Sequence, residues 1–255
     1  MKSLPRIAVV TPSYNQAAFL ERTMRSVLEQ DYPELEYIVL DGGSTDDSPK
    51  IIGRYASSLA YWESRKDNGQ ADAVARGFER SSAEILAYIN SDDFYFPGAF
   101  RRAGEVFSTH PSVEWIIGRS TVVDAGETLM YNWRPPKVTY RSLLFSGPYF
   151  HQPSSFWRRS AYDAVGGFDR SLHFAFDYDL FLRLAKRGRP YMVDERLAAF
   201  RIHATSKTTT QQETCEREVR QLRERFGYSR YPRLVPQAFN FGFTRYVRLL
   251  QKLGA

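Results

Sequence analysis

The stretch Ile85 to Asp93, ILAYINSDD, runs an apolar segment directly into Asn90, Ser91, Asp92 and Asp93. A buried strand that delivers two adjacent carboxylates to its C-terminal tip is one way for an α/β protein to hold a divalent cation in the crevice beyond its sheet. The same two residues would also serve as caps for a following helix, because short acidic side chains favour turns and helix starts. Further chemistry-bearing clusters follow apolar runs elsewhere: TPSYN from Thr11, DGGSTDD from Asp41, DNGQADA from Asp67 and DYD from Asp177.

These clusters need elements to position them. Arg6 to Val10 and Glu36 to Leu40 are β-branched runs that read as strands, and Leu59 to Trp62 as a third. Leu20, Met24, Val27 and Leu28 stand at helical spacing after the first; Ser48-Pro49 starts a helix after the second; Ala71, Val74 and Phe78 form a stripe after the third. Ile85 onward is the fourth strand, and Pro97 to His110 its helix, with Phe100, Ala103 and Phe107 inward. Strand-helix units in succession predict a doubly wound, mostly parallel sheet whose ligands sit beyond the strand C-termini, where Asp41 and Asp92 both fall.

From Val113 the pattern becomes mixed. WIIG, STVVD and LMYNW read as separate short strands with turns at Gly118 and Gly126, and Phe174 to Arg187 as a helix. Leu197 to His203 reads as a last strand. Gln211 to Phe226 reads as a charged helix with Cys215, Val219, Leu222 and Phe226 on its apolar side. The chain is therefore expected to form one α/β domain over 1–227, with a doubly wound half to about 112 and a smaller mixed half over 113–227, followed by a basic amphipathic tail at 228–255. That tail holds Arg230, Arg233, Arg245, Arg248 and Lys252, with Phe243, Tyr246, Val247, Leu250 and Leu253 at helical spacing. It can either lie on an anionic membrane or dock on the domain.

The 255 residues, 43% of them hydrophobic, suffice for a sizeable core. A single cysteine, Cys215, rules out an internal disulfide and a Cys-rich zinc site. No segment reaches the roughly 18 to 20 apolar residues of a membrane span, and a cytoplasmic location is expected, peripheral on the inner membrane face if the tail lies on lipid rather than on the domain. The net charge of +6 suits phosphorylated small molecules or acidic lipid surfaces. Nucleic acid is not expected, because no base-reading basic helix, zinc-finger spacing or aromatic RNA-binding signature accompanies the charge.

Taken together, in order and spacing, TPSYN, DGGSTDD, DNGQADA, NSDD and DYD resemble the family 2 inverting glycosyltransferases of the GT-A fold, over roughly residues 6 to 210. The resemblance is closest to the branch acting in bacterial cell-surface polysaccharide assembly, where segments like NGQADA, NSDD, HQPS and DYDLFLRL occur together. It implies a nucleoside-diphosphate sugar donor, a glycan or lipid-linked glycan acceptor, and Mg²⁺ or Mn²⁺. By the same resemblance Thr11, Pro12, Tyr14 and Asp41 line the base pocket, with Gly43 and Ser44 beside Asp41. Asp67, Asp72 and Arg76 lie along the ribose and sugar. Asn90 and Ser91 approach the nucleotide, and Asp92, Asp93 and His203 serve the metal. Asn90 stands where the family's first DxD aspartate usually is, so it contributes hydrogen bonds without charge.

An inverting transfer also needs a base for the acceptor hydroxyl. Residues two apart on a helix point about 200° apart, so Asp177 and Asp179 cannot both serve one hydroxyl. Asp179 stands four before Arg183, where a surface ion pair is expected, and Asp177 falls on the family position of the base. Phe176 replaces the glutamate that often precedes it. His151 and Gln152, with Asp179, are placed on the acceptor side. Two rivals remain open from sequence: a catalytically degenerate sugar-nucleotide-binding protein, and a nucleotidyltransferase making sugar nucleotides. The second would be expected to carry a Gly-rich basic loop after the first strand, where TPSYNQ has neither glycine nor lysine.

Overall fold

The computed structural model describes residues 4–252; Leu253 and the side chains of Arg248, Leu250 and Lys252 lie outside the described residues. In chain order the strands are β1 (Ile7–Ser13), β2 (Leu35–Asp41), β3 (Tyr61–Ser64), β4 (Ile85–Tyr88), β5 (Phe94–Tyr95), β6 (Trp115–Val123), β7 (Leu129–Trp133), β8 (Ser155–Arg158) and β9 (Tyr191–Arg201). The helices are α1 (Ala17–Leu28), α2 (Ser48–Arg54), α3 (Gln70–Glu79), α4 (Ala99–Thr109), α5 (Tyr140–Ser146), α6 (Arg159–Ala164), α7 (Phe176–Arg187), α8 (Lys207–Thr210), α9 (Gln212–Arg225) and α10 (Leu234–Lys252).

One nine-stranded sheet runs in the order β3-β2-β1-β4-β8-β6-β9-β5, with β7 paired to β6. The first four strands are parallel. Because β1 has β2 on one side and β4 on the other, the winding direction reverses between β1 and β4, which is where an open α/β sheet opens its ligand crevice. TPSYN leaves β1 and NSDD leaves β4 at that point.

Alternation along β1 separates two cores. Ile7 and Val9 face α1, α2 and α4 through Leu20, Met24, Ile52 and Phe100. Ala8 and Val10 face α3, α5 and α7 through Phe78, Leu143 and Phe181. Both faces of β1 are thus covered, which is why IAVV is continuously apolar rather than alternating. An aromatic group of Phe78, Tyr88, Trp157, Phe168 and Phe176 fills the second core beneath the site. Truncating one of these to alanine is expected to cost about 3 to 5 kcal/mol.

The halves on either side of residue 112 share this sheet, joined by the antiparallel β4–β8 pair. Strand β5 comes from the first half yet pairs with β9 at the far edge. It is four strands from β4 along the sheet, but the Tyr95 hydroxyl reaches the Tyr88 carbonyl at 3.5 Å and the Tyr95 N–H donates to Ser26 of α1 at 3.0 Å. The sheet therefore curls back over α1, and the NSDD loop spans the curl.

Several element boundaries differ from the sequence reading. WIIG and STVVD are one strand, β6, and Gly118 is not a turn: a Cβ there would sit 2.4 Å from Leu197 Cγ and 3.2 Å from the Glu195 carbonyl oxygen. The pairing of β6 with β9 shifts register across this residue, so glycine marks a close crossing of strands. The third strand is displaced toward Ser64, and the last begins six residues earlier than Leu197, at Tyr191, and ends at Arg201, leaving His203 in the loop beyond. At the tail, α10 docks on α5: Phe239 packs on Phe145 with ring centroids 5.4 Å apart, and Asn240 donates to the Phe145 carbonyl at 3.1 Å.

Candidate active site

The loops after β1 and β2 are hydrogen-bonded to each other. Asn15 N–H donates to Ser44 Oγ at 2.7 Å, and Thr45 N–H donates to Asn15 Oδ1 at 2.8 Å. Asp46 Oδ2 accepts the Ala17 N–H at 2.9 Å at the start of α1. Asp41 is buried, with Oδ2 accepting from Gly43 N–H, Ser44 N–H and Ser64 Oγ, and Oδ1 accepting from Ser44 Oγ at 2.5 Å. It thus shapes its own loop, and Oδ1 retains acceptor capacity. Gly43 adopts φ +83°, and a Cβ there would meet Lys66 N at 3.0 Å, which explains glycine at this turn. Thr11 and Pro12 are buried, and the Thr11 hydroxyl is bonded to Tyr37 at 3.0 Å inside the core. Tyr14, by contrast, is 62% exposed at the crevice edge.

The DNGQADA segment is anchored by Arg76. Its Nε donates to Asp72 at 3.0 Å, its Nη1 pairs with Glu63, and its Nη2 lies 4.0 Å from Asp67. Arg76 is therefore largely buried among three carboxylates rather than at the surface, and Asp72 is additionally bound by Arg170 at 3.2 Å. Asp67 Oδ1 accepts the Gly69 N–H at 2.8 Å and closes the turn that starts α3. Gln70, which the sequence reading left without a role, donates from Nε2 to Asn90 Oδ1 at 2.6 Å.

The NSDD loop is sewn to the end of β9. Asp93 is turned into the protein: Oδ1 accepts the Arg201 N–H at 2.8 Å, and its backbone carbonyl accepts from Thr23 Oγ1 at 2.6 Å. Burial and the neighbouring Asp92 charge push Asp93 well above the usual carboxylate range. The Arg201 guanidinium donates to the Asp92 carbonyl at 2.7 Å and to Glu127 at 3.0 Å in the β6–β7 turn. Two residues beyond Arg201, His203 places Nε2 at 3.0 Å from Asp92 Oδ2 and Nδ1 at 3.0 Å from Thr205 Oγ1. Ser91 is buried beside them.

Asp177 opens α7 as a half-buried carboxylate whose Oδ1 accepts the Tyr178 N–H at 2.7 Å. Burial pushes it up to about 6, against the Tyr178 N–H, the nearby Lys207 cation and the Tyr88 phenol, which pull it down. Tyr88 ends β4, so Asp177 borders the strand that leads into the NSDD loop. Lys207 donates to Gln70 Oε1 at 3.0 Å and to the His173 carbonyl, so Asn90, Gln70 and Lys207 form one chain of contacts between NSDD and the α7 start. Glu218 of α9 accepts from the N–H groups of His173, Phe174 and Ala175 at 3.0, 2.8 and 2.8 Å, fixing the turn into α7. Lys207 has no sequence signal beyond its place after the last strand. Glu218 has one, since it sits between Cys215 and Leu222 on the inward face of α9.

On the far side of β4, Gln152 donates from Nε2 to the Tyr88 carbonyl at 2.9 Å. His151 stacks on Phe200 and bonds Ser120 Oγ at 2.6 Å; burial lowers its pKa to about 4, so it is neutral at pH 7. Asp179 pairs with Arg183 as its spacing requires, but in the core: its side chain is fully buried, with Arg183 Nη2 at 2.5 Å and Arg225 Nη1 at 3.7 Å.

Asp92 and His203 bring a carboxylate oxygen and an imidazole nitrogen within 3.0 Å of each other. Among the described residues no group of three His, Cys, Asp or Glu converges on one point. The Asp92 oxygen is the donor type for Mg²⁺ or Mn²⁺, with phosphate oxygens completing the shell as Mg²⁺ is commonly held, whereas the His203 imidazole suits softer transition ions better.

A 3-2-1-4 parallel core extended by antiparallel strands, with these loops at its switch point, is the GT-A fold. S. aureus TarS in complex with UDP-GlcNAc aligns with a TM-score of 0.66 at 18% identity, over 80% of this chain and 61% of that one. A mannosyltransferase from Pyrobaculum calidifontis in complex with GDP-Man and Mn²⁺ aligns at 0.57 and 21% identity, over 80% and 59%. The chain thus spans about 60% of the length of these solved chains. A family model described as glycosyl transferase family 2 matches residues 8–166. An uncharacterized glycosyltransferase of Mycobacterium tuberculosis is 31% identical over 197 residues, 76% of this chain and 74% of the relative. The chain belongs to glycosyl transferase family 2.

Proposed function

We propose that this glycosyltransferase moves a sugar from a nucleoside-diphosphate donor to an acceptor hydroxyl with inversion, in one displacement, with Asp177 as the base. The acceptor is a glycan or lipid-linked glycan in cell-surface polysaccharide synthesis, a reading that rests on the HQPS and DYDLFLRL segments. The observation that carries the catalytic part is the half-buried Asp177 carboxylate, raised to about 6 and set beside Tyr88 at the end of the strand that leads into the loop bearing Asp92. A base of that pKa is largely ionised at pH 7 yet takes a proton readily as the hydroxyl attacks.

In this reading the exposed Tyr14 ring stacks on the base, and the free capacity of Asp41 Oδ1 accepts its N–H. Asp72 and Arg76 act by holding Asp67 and the Gln70 turn in place. Asn90 and Gln70 bond ribose or sugar hydroxyls. Asp92 and His203 would hold Mg²⁺ or Mn²⁺, which when bound neutralises charge on the departing diphosphate. Asp93 sets the loop from which Asp92 projects. His151, neutral and stacked, and Gln152 shape the acceptor side, and Asp179 stiffens α7 behind Asp177.

The experiment is a transfer and donor-hydrolysis assay across UDP-, GDP-, dTDP- and CMP-sugars, with the product anomer read by NMR. Inverted product from one donor class supports the reading. Retained configuration overturns the single displacement, and nucleotide binding without turnover of any donor would make the chain a binding protein.

A further inference from the structure

Helix α10 is apolar on two opposite sides. The inner side does what docking requires: Phe239 and Phe243 pack on Phe145 and Tyr149 with ring centroids 5.4 and 4.7 Å apart, and Asn240 Oδ1 accepts from Ser146 Oγ at 2.9 Å. A second stripe, Leu234, Ala238, Phe241, Arg245 and Leu249, repeats at helical spacing along the other side and is exposed throughout. Leu234 is 76% exposed, Phe241 67% and Leu249 54%, and the Arg245 guanidinium lies over the Phe241 ring at 5.3 Å. A helix already fixed by one face has no need of large apolar side chains on the opposite one.

The charge of this region selects the occupant. After Glu224 the sequence carries Arg225, Arg230, Arg233, Arg245, Arg248 and Lys252 and no Asp or Glu. A second copy presenting the same face would set Arg245 against Arg245 with no carboxylate on the helix to separate them. An anionic bilayer accepts both features at once, since apolar side chains enter the acyl boundary while arginines meet headgroup phosphates. No described helix is long and apolar enough to cross a membrane, so this contact would lie in the interface.

We propose that the outer face of α10 binds flat on an anionic lipid surface, through Leu234, Phe241 and Leu249 with Arg245. Its benefit to catalysis rests on the transferase reading: Tyr149, which holds Phe243, is two residues from His151, so the bilayer would lie near the acceptor edge. The lipid contact itself does not depend on that reading.

The test is co-sedimentation of the full chain with phosphatidylcholine vesicles, and with vesicles containing about one-third phosphatidylglycerol, at low and high salt. Binding is expected to the anionic vesicles alone and to weaken as salt rises. Arg245→Gln should reduce it about fivefold, and Phe241→Ser with Leu249→Ser at least tenfold. All three side chains face solvent, so circular-dichroism melts should match the wild type. Wild-type protein that ignores anionic vesicles overturns the proposal, as does undiminished binding by both variants. Self-association in the absence of lipid, abolished by the same substitutions while vesicle binding persists, would assign the face to a second copy instead. Nucleotide affinity measured on the same samples should not change; its absence in every sample, with vesicle binding intact, would count against the transferase reading alone.

Discussion

His203 Nε2 lies 3.0 Å from Asp92 Oδ2, joining two side chains 111 positions apart in the sequence. The pair depends on Asp93, whose carboxylate holds the last N–H of β9, so the chain leaves that strand in position to place an imidazole on its neighbour. With Nδ1 bonded to Thr205, the ring can present either a proton or a lone pair from Nε2 as its tautomer requires. A half-buried carboxylate beside an imidazole suits the proposed role of this loop toward a cation and a diphosphate.

Asp177→Asn should lower transfer by about 10² to 10⁴, the usual worth of a positioned base, while nucleotide affinity stays within about twofold. In the wild type, kcat/KM should fall tenfold per pH unit below about 6, because protonated Asp177 accepts no proton. Steady-state rates and calorimetry on the same preparation check both. Loss of nucleotide binding in the variant would mean that Asp177 holds the donor instead.

Lys207→Met should move the acid limb of that profile to higher pH. The Lys207 cation favours the ionised form of Asp177, so its removal raises the carboxyl pKa and narrows the active range from the acid side. An unmoved limb with a lower plateau would restrict Lys207 to bridging Gln70 and His173.

Glu218→Gln should destabilise the fold by about 1 to 3 kcal/mol at pH 7, since three N–H groups before α7 lose a charged acceptor. Burial pushes Glu218 up, but those N–H groups outweigh it and hold it below its ordinary 4.5. Its contribution is therefore present above about 4.5 and lost as pH falls through the lower folded value, so urea midpoints of variant and wild type should converge in acid.

Gly118→Ala should cost about 1 to 3 kcal/mol by overpacking, because the added methyl meets Leu197 and a β9 carbonyl that cannot step aside. Chemical denaturation checks it; an unchanged midpoint would mean that the β6–β9 crossing has slack.

The parallel half was legible because its physics is local. ILAYI is apolar through its whole length since β4 is covered on both faces, and it stops where Asp92 meets the crevice. Gly118 misled because the sequence does not distinguish a turn glycine from one that permits two strands to cross closely. Strand β5 has two residues, too few for any periodicity, although it closes the sheet and stretches the NSDD loop across the curl. The setting of Asp92 was legible only in part. The family resemblance set His203 with it, but Arg201 and Lys207 reach the loop network because a strand of the second half ends there, and nothing in their local spacing says so.

The most direct test of the account is calorimetric titration of the wild-type chain with UDP, GDP, dTDP and CMP, with and without Mn²⁺, beside Asp92→Asn. The account predicts saturable binding of one nucleoside diphosphate, strengthened by Mn²⁺ in the wild type and at least tenfold weaker in Asp92→Asn. Absence of binding for all four nucleotides in the presence of Mn²⁺ would contradict it.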